Sequence, residues 1–173
     1  MARLENKVSI ITGGSTGIGE ATSYRFAEEG SKIAIFDVSA EAGSKVAQAI
    51  IDKGGDAIFV RVDVSDEKAV EAGVTEVVDR WGKLDVLVNN AAITGVNKFA
   101  HEVTSEEWDR IFAVNVRGVF LCTKHALKPM MAAKRGSIVN FSSIYGLIGN
   151  DDLPPYQATK GAVLSMTKTD AIC

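Results

Sequence analysis

The chain has 173 residues, of which 46% are hydrophobic and 24% are charged, and this is the composition of one ordinary globular domain. Its formal net charge of -3 at pH 7 argues against nucleic acid and anionic membranes as partners. The N-terminus lacks the apolar core of a signal peptide, and no apolar run reaches the roughly 18 residues that would span a bilayer. We therefore predict a soluble, cytoplasmic protein.

Apolar runs and helical patterns alternate along the whole chain. The predicted strands are 8–11, 32–36, 57–62, 84–88 and 137–141, and the predicted helices are 20–29, 40–53, 66–81, 105–134 and 154–172. Ser65 is the expected N-cap of the third helix, and Gly136 is the expected C-cap of the fourth. Continuous apolar strands indicate a parallel sheet with helices on both faces. The predicted fold is α/β, a doubly wound parallel sheet of Rossmann type in one domain, residues 1–173.

The last predicted helix opens at Pro154 and Pro155 and reaches the final residues without a stop signal. With nothing after it, the fifth strand would remain an edge strand, and Val163, Leu164 and Met166 would lack packing partners. We therefore expect that C-terminal strands are missing and that these residues are the front part of a longer protein.

The cysteines and histidines show neither a disulfide pattern nor a metal-binding pattern. Cys122 and Cys173 are far apart and belong to no CxxC motif, so they fit a reducing compartment as small apolar side chains. His101 and His125 have no carboxylate or cysteine partners at ligand spacing. The sequence predicts no metal site.

Residues 8–19, VSIITGGSTGIG, contain a strand, a glycine-rich turn and the start of a helix. This arrangement presents the amides of a helix N-terminus to a phosphate, and glycine lets the pyrophosphate approach the backbone. The turn alone is compatible with a chance glycine turn, so its interpretation depends on the rest of the chain. The predicted phosphate-binding residues are Gly13, Ser15, Thr16, Gly17, Ile18 and Gly19.

Asp37 ends the second predicted strand, where a carboxylate can accept hydrogen bonds from the adenosine ribose hydroxyls. The same carboxylate would repel a 2′-phosphate, and no Arg or Lys occupies Ser15, Thr16 or Val38 to attract one. NAD is therefore predicted over NADP. A helix N-cap or a turn residue is the alternative role for Asp37.

Tyr156 and Lys160 are four residues apart in the last predicted helix, so they lie on one face, one turn apart. A free phenol has a pKa of about 10, and a nearby ammonium would lower it towards neutrality. The pair alone is also compatible with a solvated surface tyrosine and lysine.

Taken together, these residues resemble the short-chain dehydrogenase/reductase family, in its single-domain subgroup of roughly 250 residues. The matching motifs follow the family order: residues 12–19, Asp63 with Val64, residues 89–92 (NNAA), Asn115, and Ser143 with residues 156–160 (YQATK). Ala92 stands where the family usually has glycine, and the family's sixth and seventh strands and substrate-covering loop have no counterpart in these 173 residues.

The resemblance implies a role for each polar residue. As implied by the family, Tyr156 exchanges a proton with substrate, Ser143 hydrogen-bonds the same oxygen, and Lys160 holds the nicotinamide ribose and lowers the Tyr156 pKa. Asn115 is implied to bind a water that links Lys160 to solvent, with a satisfied buried amide as the alternative. Asp63 and Val64 would contact adenine, and Asn90 with Ala91 would line the cofactor path, although Asp63 also suits a turn.

The resemblance therefore implies an NAD-dependent oxidoreductase that interconverts an alcohol and a ketone. Residues 93–95 and 145–153 are expected to border a small, non-ionic substrate. In the family, helices corresponding to 105–134 and 156 onward pack against another subunit, so a homo-oligomer (a dimer or tetramer) is expected for the full-length protein. A non-catalytic dinucleotide-binding or scaffold protein is the alternative, above all for these 173 residues on their own.

Overall fold

The computed structural model describes residues 2–95 and 97–172, and in this part of the chain five strands form one parallel sheet. The strands are β1 (Val8–Thr12), β2 (Lys32–Asp37), β3 (Ala57–Arg61), β4 (Val86–Asn89) and β5 (Ser137–Asn140). The helices are α1 (Gly17–Glu28), α2 (Ala40–Asp52), α3 (Glu67–Trp81), α4 (Ser105–Phe112), α5 (Gly118–Ala132) and α6 (Pro154–Asp170). The strand order is β3-β2-β1-β4-β5, which confirms the predicted doubly wound sheet.

β1 lies at the centre of the sheet and is buried on both faces. Ile10 packs on one face with Val74 of α3 and Leu121 of α5, because successive strand residues point to opposite sides. Ile11 packs on the other face, with Val46 of α2. Helices therefore cover both faces, as the continuous apolar strands predicted.

The order of the strands reverses at β1, because the chain returns from β3 and places β4 on the other side of β1. β2 and β3 lie on one side of β1, and β4 and β5 lie on the other. In open α/β sheets a crevice opens at this reversal, beyond the carboxyl ends of the strands. The residues that follow β1 and β4 therefore meet there.

The N-cap of α3 is Asp66, so the prediction of Ser65 at this position is wrong. The Asp66 carboxylate accepts from the amide of Lys68 at 2.9 Å. Ser65 instead donates from its amide and its hydroxyl to the Asp63 carboxylate, at 2.9 and 2.7 Å. The hydroxyl is thus already bonded on the side away from the helix.

The prediction of a single continuous helix over residues 105–134 is wrong, because the helix is interrupted in the middle. α4 and α5 are joined by a π-helical turn over Ala113–Arg117, which contains Asn115. Such turns insert one extra residue and often occur at functional sites. Sequence periodicity did not indicate the interruption, because the apolar pattern continues through it.

The C-cap of α5 is Ala133, so the prediction of Gly136 at this position is wrong. Lys134 has a left-handed φ of 52°, its amide donates to the Met131 carbonyl, and the Arg135 amide donates to the Met130 carbonyl. This is the Schellman pattern of a helix end. Gly136 has a different function here, because a Cβ there would overlap the side chain of Met130.

α6 packs against α4 and the π-helical turn. Val163 of α6 is only 1% exposed, so the expectation that it lacks packing partners is wrong, whereas Leu164 and Met166 remain partly exposed. β5 pairs with β4 alone within residues 2–95 and 97–172, and Val139 on it is 42% exposed.

Cys122 is buried in the core, where burial raises the pKa of its thiol to about 12, which fits the predicted small apolar side chain. Cys173 lies outside the described residues.

Across the described ranges, every helix is too short or too polar to cross a membrane.

His125 lies between two carboxylates of α3, a contact that spacing along the sequence did not indicate. Its Nε2 is 3.4 Å from Glu67 Oε1 and its Nδ1 is 3.6 Å from Glu71 Oε1. Lys124 and Lys128 pair with the same two carboxylates at 2.6 and 3.1 Å. These contacts join α3 to α5. In the part of the chain that the structure describes, no group of three or more His, Cys, Asp or Glu side chains is arranged to hold a metal ion.

Candidate active site

A cavity of about 620 Å³ opens beyond the carboxyl ends of the strands, at the point where the chain direction reverses. It is the size of a typical small-molecule site. Nine of the predicted cofactor-binding residues line it: Gly13, Thr16, Gly17, Ile18, Asp37, Asp63, Val64, Asn90 and Ala91. A second cavity, of about 660 Å³, lies between α5, β5 and the end of α6 and contains none of the predicted site residues.

The glycine-rich turn leaves no room for larger side chains on its inner side. A Cβ at Gly19 would overlap the carbonyl oxygen of Gly13, and a Cβ at Gly13 would lie 2.9 Å from Ala91 Cα. α1 begins at Gly17, and its N-cap Thr16 makes no side-chain hydrogen bond to the first turn. The amides of that turn therefore have no side-chain cap, which suits the predicted binding of phosphate.

Thr12 and Asn90 hold the turn after β1 against the turn after β4. Thr12 Oγ1 accepts from the amides of Asn90 and Ala91, both at 3.0 Å. Asn90 Nδ2 donates to the carbonyls of Thr12 and Gly13, also at 3.0 Å. The Asn90 side chain thus fixes the shape of the glycine turn, and Asn90 is one of the residues that line the cavity.

Asp37 lies at the end of β2, as predicted, and its carboxylate borders the cavity. One oxygen accepts from the Ser15 amide at 3.3 Å and the other from the Ser39 amide at 3.1 Å. Each oxygen keeps a further lone pair that can accept a hydroxyl of a ligand.

Ser15 and Gly19 lie beneath the loop and are not among the residues that line the cavity. Ser15 Oγ is buried without a hydrogen-bond partner among the described residues. The structure therefore places the Ser15 amide on Asp37 and leaves its hydroxyl unused.

Arg110 of α4 also lines the cavity and was missed by sequence reasoning. Of the described residues that line it, Arg110 is the one cation, and Asp37 and Asp63 are the two anions. No motif marks this position, because a charged residue on an amphipathic helix is expected at any exposed site.

Lys160 is buried beside Tyr156, as the helical spacing predicted. Its ammonium donates to the Phe141 carbonyl at 2.8 Å and lies 5.5 Å from the centre of the Tyr156 ring. Lys160 is only 4% exposed, and burial lowers the pKa of its ammonium. The interpretation of this pair as a solvated surface pair is therefore wrong for the lysine, while Tyr156 is half-buried.

Asn115 connects the π turn to the loop after β4 and to α6. Its Oδ1 accepts from the Ile93 amide at 2.8 Å, and its Nδ2 donates to the Ile93 carbonyl at 2.8 Å and to Thr159 Oγ1 at 3.1 Å. These contacts match the alternative of a satisfied buried amide. Binding of a water by Asn115 stays a prediction.

Thr159 is a residue that sequence reasoning missed. It lies between Tyr156 and Lys160 in the sequence, and its side chain is fully buried. Its hydroxyl accepts from Asn115 and donates to the Tyr156 carbonyl at 2.7 Å. A threonine inside a YxxxK motif gives no sequence signal, because its role depends on contact with a different helix.

Ser143 caps a short 3₁₀ turn over Ile144–Gly146, and its hydroxyl accepts from the Tyr145 amide at 3.2 Å. The turn lies directly on α6, because a Cβ at Gly146 would be 2.8 Å from the Lys160 carbonyl oxygen. Ser142, a residue that sequence reasoning missed, donates from its hydroxyl to the same carbonyl at 2.8 Å. The strand end that holds Ser143 is thus fixed against the helix that holds Tyr156 and Lys160.

The glycine loop of the cavity fits a pyrophosphate. Ser143, Tyr156 and Lys160 are not among the described residues that line this cavity. Asn115 connects Ile93 of the lining to Thr159, in the helix that holds Tyr156 and Lys160. The donor set fits a nicotinamide dinucleotide: uncapped amides for phosphates, a carboxylate for a ribose and a lysine beside a tyrosine. Such a set can exchange a proton with an oxygen atom of a bound substrate.

Comparisons with known proteins agree with this geometry. The chain is 41% identical over 172 residues to cyclopentanol dehydrogenase of Comamonas testosteroni, covering 99% of this chain and 68% of that protein. It is 42% identical over 166 residues to cis-4-hydroxycyclohexanecarboxylate dehydrogenase of Sinomonas cyclohexanicum, covering 96% of this chain and 66% of that protein. The crystal structure of NAD⁺-bound xylitol dehydrogenase superposes with a TM-score of 0.95 at 35% identity, covering 98% of this chain and 65% of that one.

The chain spans 61 to 68% of the length of seven curated relatives that it matches. Residues 7–171 match the family model described as short chain dehydrogenase. This match covers nearly all of the chain, and the fold and the resemblance stated from the motifs agree with it. The chain therefore belongs to the short-chain dehydrogenase family.

Proposed function

We propose that this protein is an NAD-dependent oxidoreductase that interconverts an alcohol and a ketone, with Tyr156 as the acid and base. The observation that supports this most directly is the buried Lys160 ammonium, 5.5 Å from the centre of the Tyr156 ring. A positive charge in a low-dielectric site favours the phenolate form of a neighbouring tyrosine. The proposal covers the whole protein, of which residues 1–173 form the NAD-binding domain.

In the proposed reaction, the Tyr156 phenolate takes the proton of the substrate hydroxyl, and the Ser143 hydroxyl donates a hydrogen bond to the same oxygen. In the reverse direction, the Tyr156 phenol returns this proton to the carbonyl oxygen. Bound NAD would supply the hydride acceptor, and its reduced form the hydride donor. Lys160 keeps two further donors besides the one that contacts Phe141, and these can hold a ribose hydroxyl.

Asp37 supports NAD over NADP. Its carboxylate borders the cavity at the end of β2, where it would accept from ribose hydroxyls and repel a 2′-phosphate. The structural neighbour xylitol dehydrogenase was solved with NAD⁺, which agrees with this assignment.

The substrate side of the site supports a small, non-ionic alcohol. The large side chains of Ile144, Leu147 and Ile148 are exposed in the segment directly after Ser143. Apolar surface beside a reacting oxygen favours an apolar substrate body. One relative acts, by name, on cyclopentanol, so a non-ionic alicyclic secondary alcohol is the first substrate to test.

The surface of α4 and α5 supports the proposal of a homo-oligomer. Trp108 stacks on Phe112 with ring centres 4.8 Å apart, and Phe120 and Met131 of α5 are 51% and 71% exposed. Exposed apolar surface of this kind commonly marks a protein interface. Light scattering of the purified protein tests it, and a Phe120→Glu variant should lower the measured mass to that of a monomer.

Turnover of alicyclic alcohols with NAD, followed as NADH absorbance, tests the catalytic proposal. Tyr156→Phe should lower kcat by at least about a hundredfold while the Kd for NAD stays unchanged, because the change removes only the hydroxyl that exchanges the proton. Tyr24→Phe, on α1, is the matched control. NAD binding without turnover of any alcohol or ketone would instead indicate the non-catalytic alternative.

A further inference from the structure

We propose that Gln157 is a positioning residue that holds the loop of residues 147–153 as a fixed wall of the substrate site, through Asn150 and Tyr145. This inference rests on the proposed function, since the reaction at Tyr156 requires substrate to be bound beside that loop. It assigns a role to the residue that follows Tyr156 in α6.

The Gln157 carboxamide binds the backbone of Asn150 from both sides. Its Oε1 accepts from the Asn150 amide at 2.9 Å, and its Nε2 donates to the Asn150 carbonyl at 3.0 Å. Nε2 also donates to the Asp152 carbonyl. The side chain thus replaces the backbone partner that a strand would supply, so one residue of α6 fixes the centre of the loop.

Asn150 transmits this position to Tyr145. Its Nδ2 donates to the Tyr145 hydroxyl at 2.9 Å and to the Asp152 carboxylate at 2.9 Å. The Tyr145 ring meets the Tyr156 ring edge-on, with ring centres 6.5 Å apart and planes at 82°. The Tyr145 amide donates to Ser143 Oγ at 3.2 Å. Tyr145 therefore contacts both residues that are proposed to bind the reacting oxygen.

The side chains of Leu147 and Ile148 do little to hold the loop in place. Leu147 is 73% exposed and Ile148 is 54% exposed, so these apolar side chains contribute little burial. Leu153 has a left-handed φ of 49°, a strained conformation for a residue with a Cβ. Segments with few buried contacts open easily, and the hydrogen bonds of Gln157 and Asn150 oppose this opening.

The arrangement predicts which kinetic constant responds. Tyr156, Lys160 and the glycine turn keep their contacts when the loop opens, so the chemical step and NAD binding persist. The loop would instead lose its fixed contact with the substrate body. A loss of uniform substrate binding raises KM and leaves kcat nearly unchanged.

Steady-state kinetics of the Gln157→Met variant of the full-length protein test this role. Methionine keeps the length of the side chain and removes its hydrogen bonds. We expect KM for the alcohol to rise about tenfold, with kcat and the Kd for NAD each within about threefold of the parent. Tyr145→Phe, which keeps the ring, should raise KM in the same direction. The KM of the double variant should not exceed that of Gln157→Met, because both changes break the same chain of hydrogen bonds from Gln157 through Asn150 to Tyr145.

Gln48→Met, which removes an exposed Gln48–Asp52 hydrogen bond on α2, is the matched control and should change nothing. An unchanged KM in Gln157→Met would overturn the proposal, and so would a joint loss of kcat, NAD affinity and thermal stability. If the parent protein turns over no alcohol or ketone, the proposed function fails, and hydrogen exchange at the Asn150 amide decides instead. Faster exchange in Gln157→Met supports the positioning role, and unchanged exchange overturns it.

Discussion

The Lys160 ammonium donates to the carbonyl oxygen of Phe141, with 2.8 Å between the two heavy atoms. Phe141 directly follows β5, and Lys160 lies in the second turn of α6, so this bond connects the sheet to the helix that holds Tyr156. It also fixes a buried charge that would otherwise lack an acceptor, which is costly in a protein interior. The position of the ammonium near Tyr156 is therefore set by the fold before any ligand binds.

Replacement of Lys160 by methionine should lower kcat/KM by at least about a hundredfold, because the change removes the ammonium that is proposed to hold the nicotinamide ribose beside Tyr156. The measurement is steady-state turnover of an alicyclic alcohol with NAD. Lys168→Met, on the exposed side of the same helix, is the matched control and should keep full activity. Retention of more than about a tenth of the parent kcat/KM by Lys160→Met would contradict the proposed role.

Gly19→Ala should lower the affinity for NAD by at least about a hundredfold, because the added Cβ would overlap the Gly13 carbonyl and displace the turn that faces the pyrophosphate. Calorimetric titration with NAD measures this effect. Gly54→Ala is the matched control: Gly54 has a φ of 86° and open space around it, at the end of α2. We expect it to cost about 1 kcal/mol of unfolding free energy through strain and to leave NAD binding unchanged. Equal NAD affinities of both variants would argue against the glycine turn as the phosphate site.

Asp37→Ala should reduce the preference for NAD over NADP by at least about tenfold, because the carboxylate that accepts the ribose hydroxyls and repels a 2′-phosphate is removed. The ratio of kcat/KM for the two cofactors is the measurement. Asp52→Ala, at the end of α2, serves as the control. A parent protein that already prefers NADP would show that the cofactor proposal is wrong.

Asp85 should make the free energy of unfolding depend on pH in the acidic range. Its burial alone would raise the pKa of the carboxyl, but hydrogen bonds from Lys83 and from the Val8 amide, with the charges of Lys83 and Lys7, hold it below the usual range. A carboxyl with a lowered folded-state pKa contributes stability above its unfolded pKa of about 3.9 and loses it as pH falls through the folded value.

Asp85→Asn should therefore cost about 2 kcal/mol of unfolding free energy at pH 7, and the difference from the parent should shrink below about pH 4. Urea unfolding at a series of pH values measures it. Asp79→Asn, on the exposed side of α3, should be neutral throughout. A penalty of the same size at pH 3 would indicate lost packing rather than a lost charge.

The sequence predicted a doubly wound parallel sheet, the glycine turn after β1 and the position of Lys160 next to Tyr156, because these depend on local patterns with a known spacing. It did not predict that Lys160 is buried. It did not predict the π turn at Asn115, because apolar residues continue through residues 105–134 without a break. Contacts between distant segments were also missed. Asn115 with Thr159, and His125 with Glu67, are 44 and 58 positions apart, and only the fold shows that they meet.

The π turn also sets the rotational phase between α4 and α5. Its extra residue turns everything before it by about 100° relative to a continuous α-helix. Removal of a single residue from Ala113–Arg117 would restore regular α geometry, swing the Trp108–Phe112 stack to a different side of the molecule and take the Asn115 carboxamide away from Ile93. A deletion of one amino acid there would thus disturb the outer surface and the active site together, although neither end of α4 or α5 would have changed in sequence.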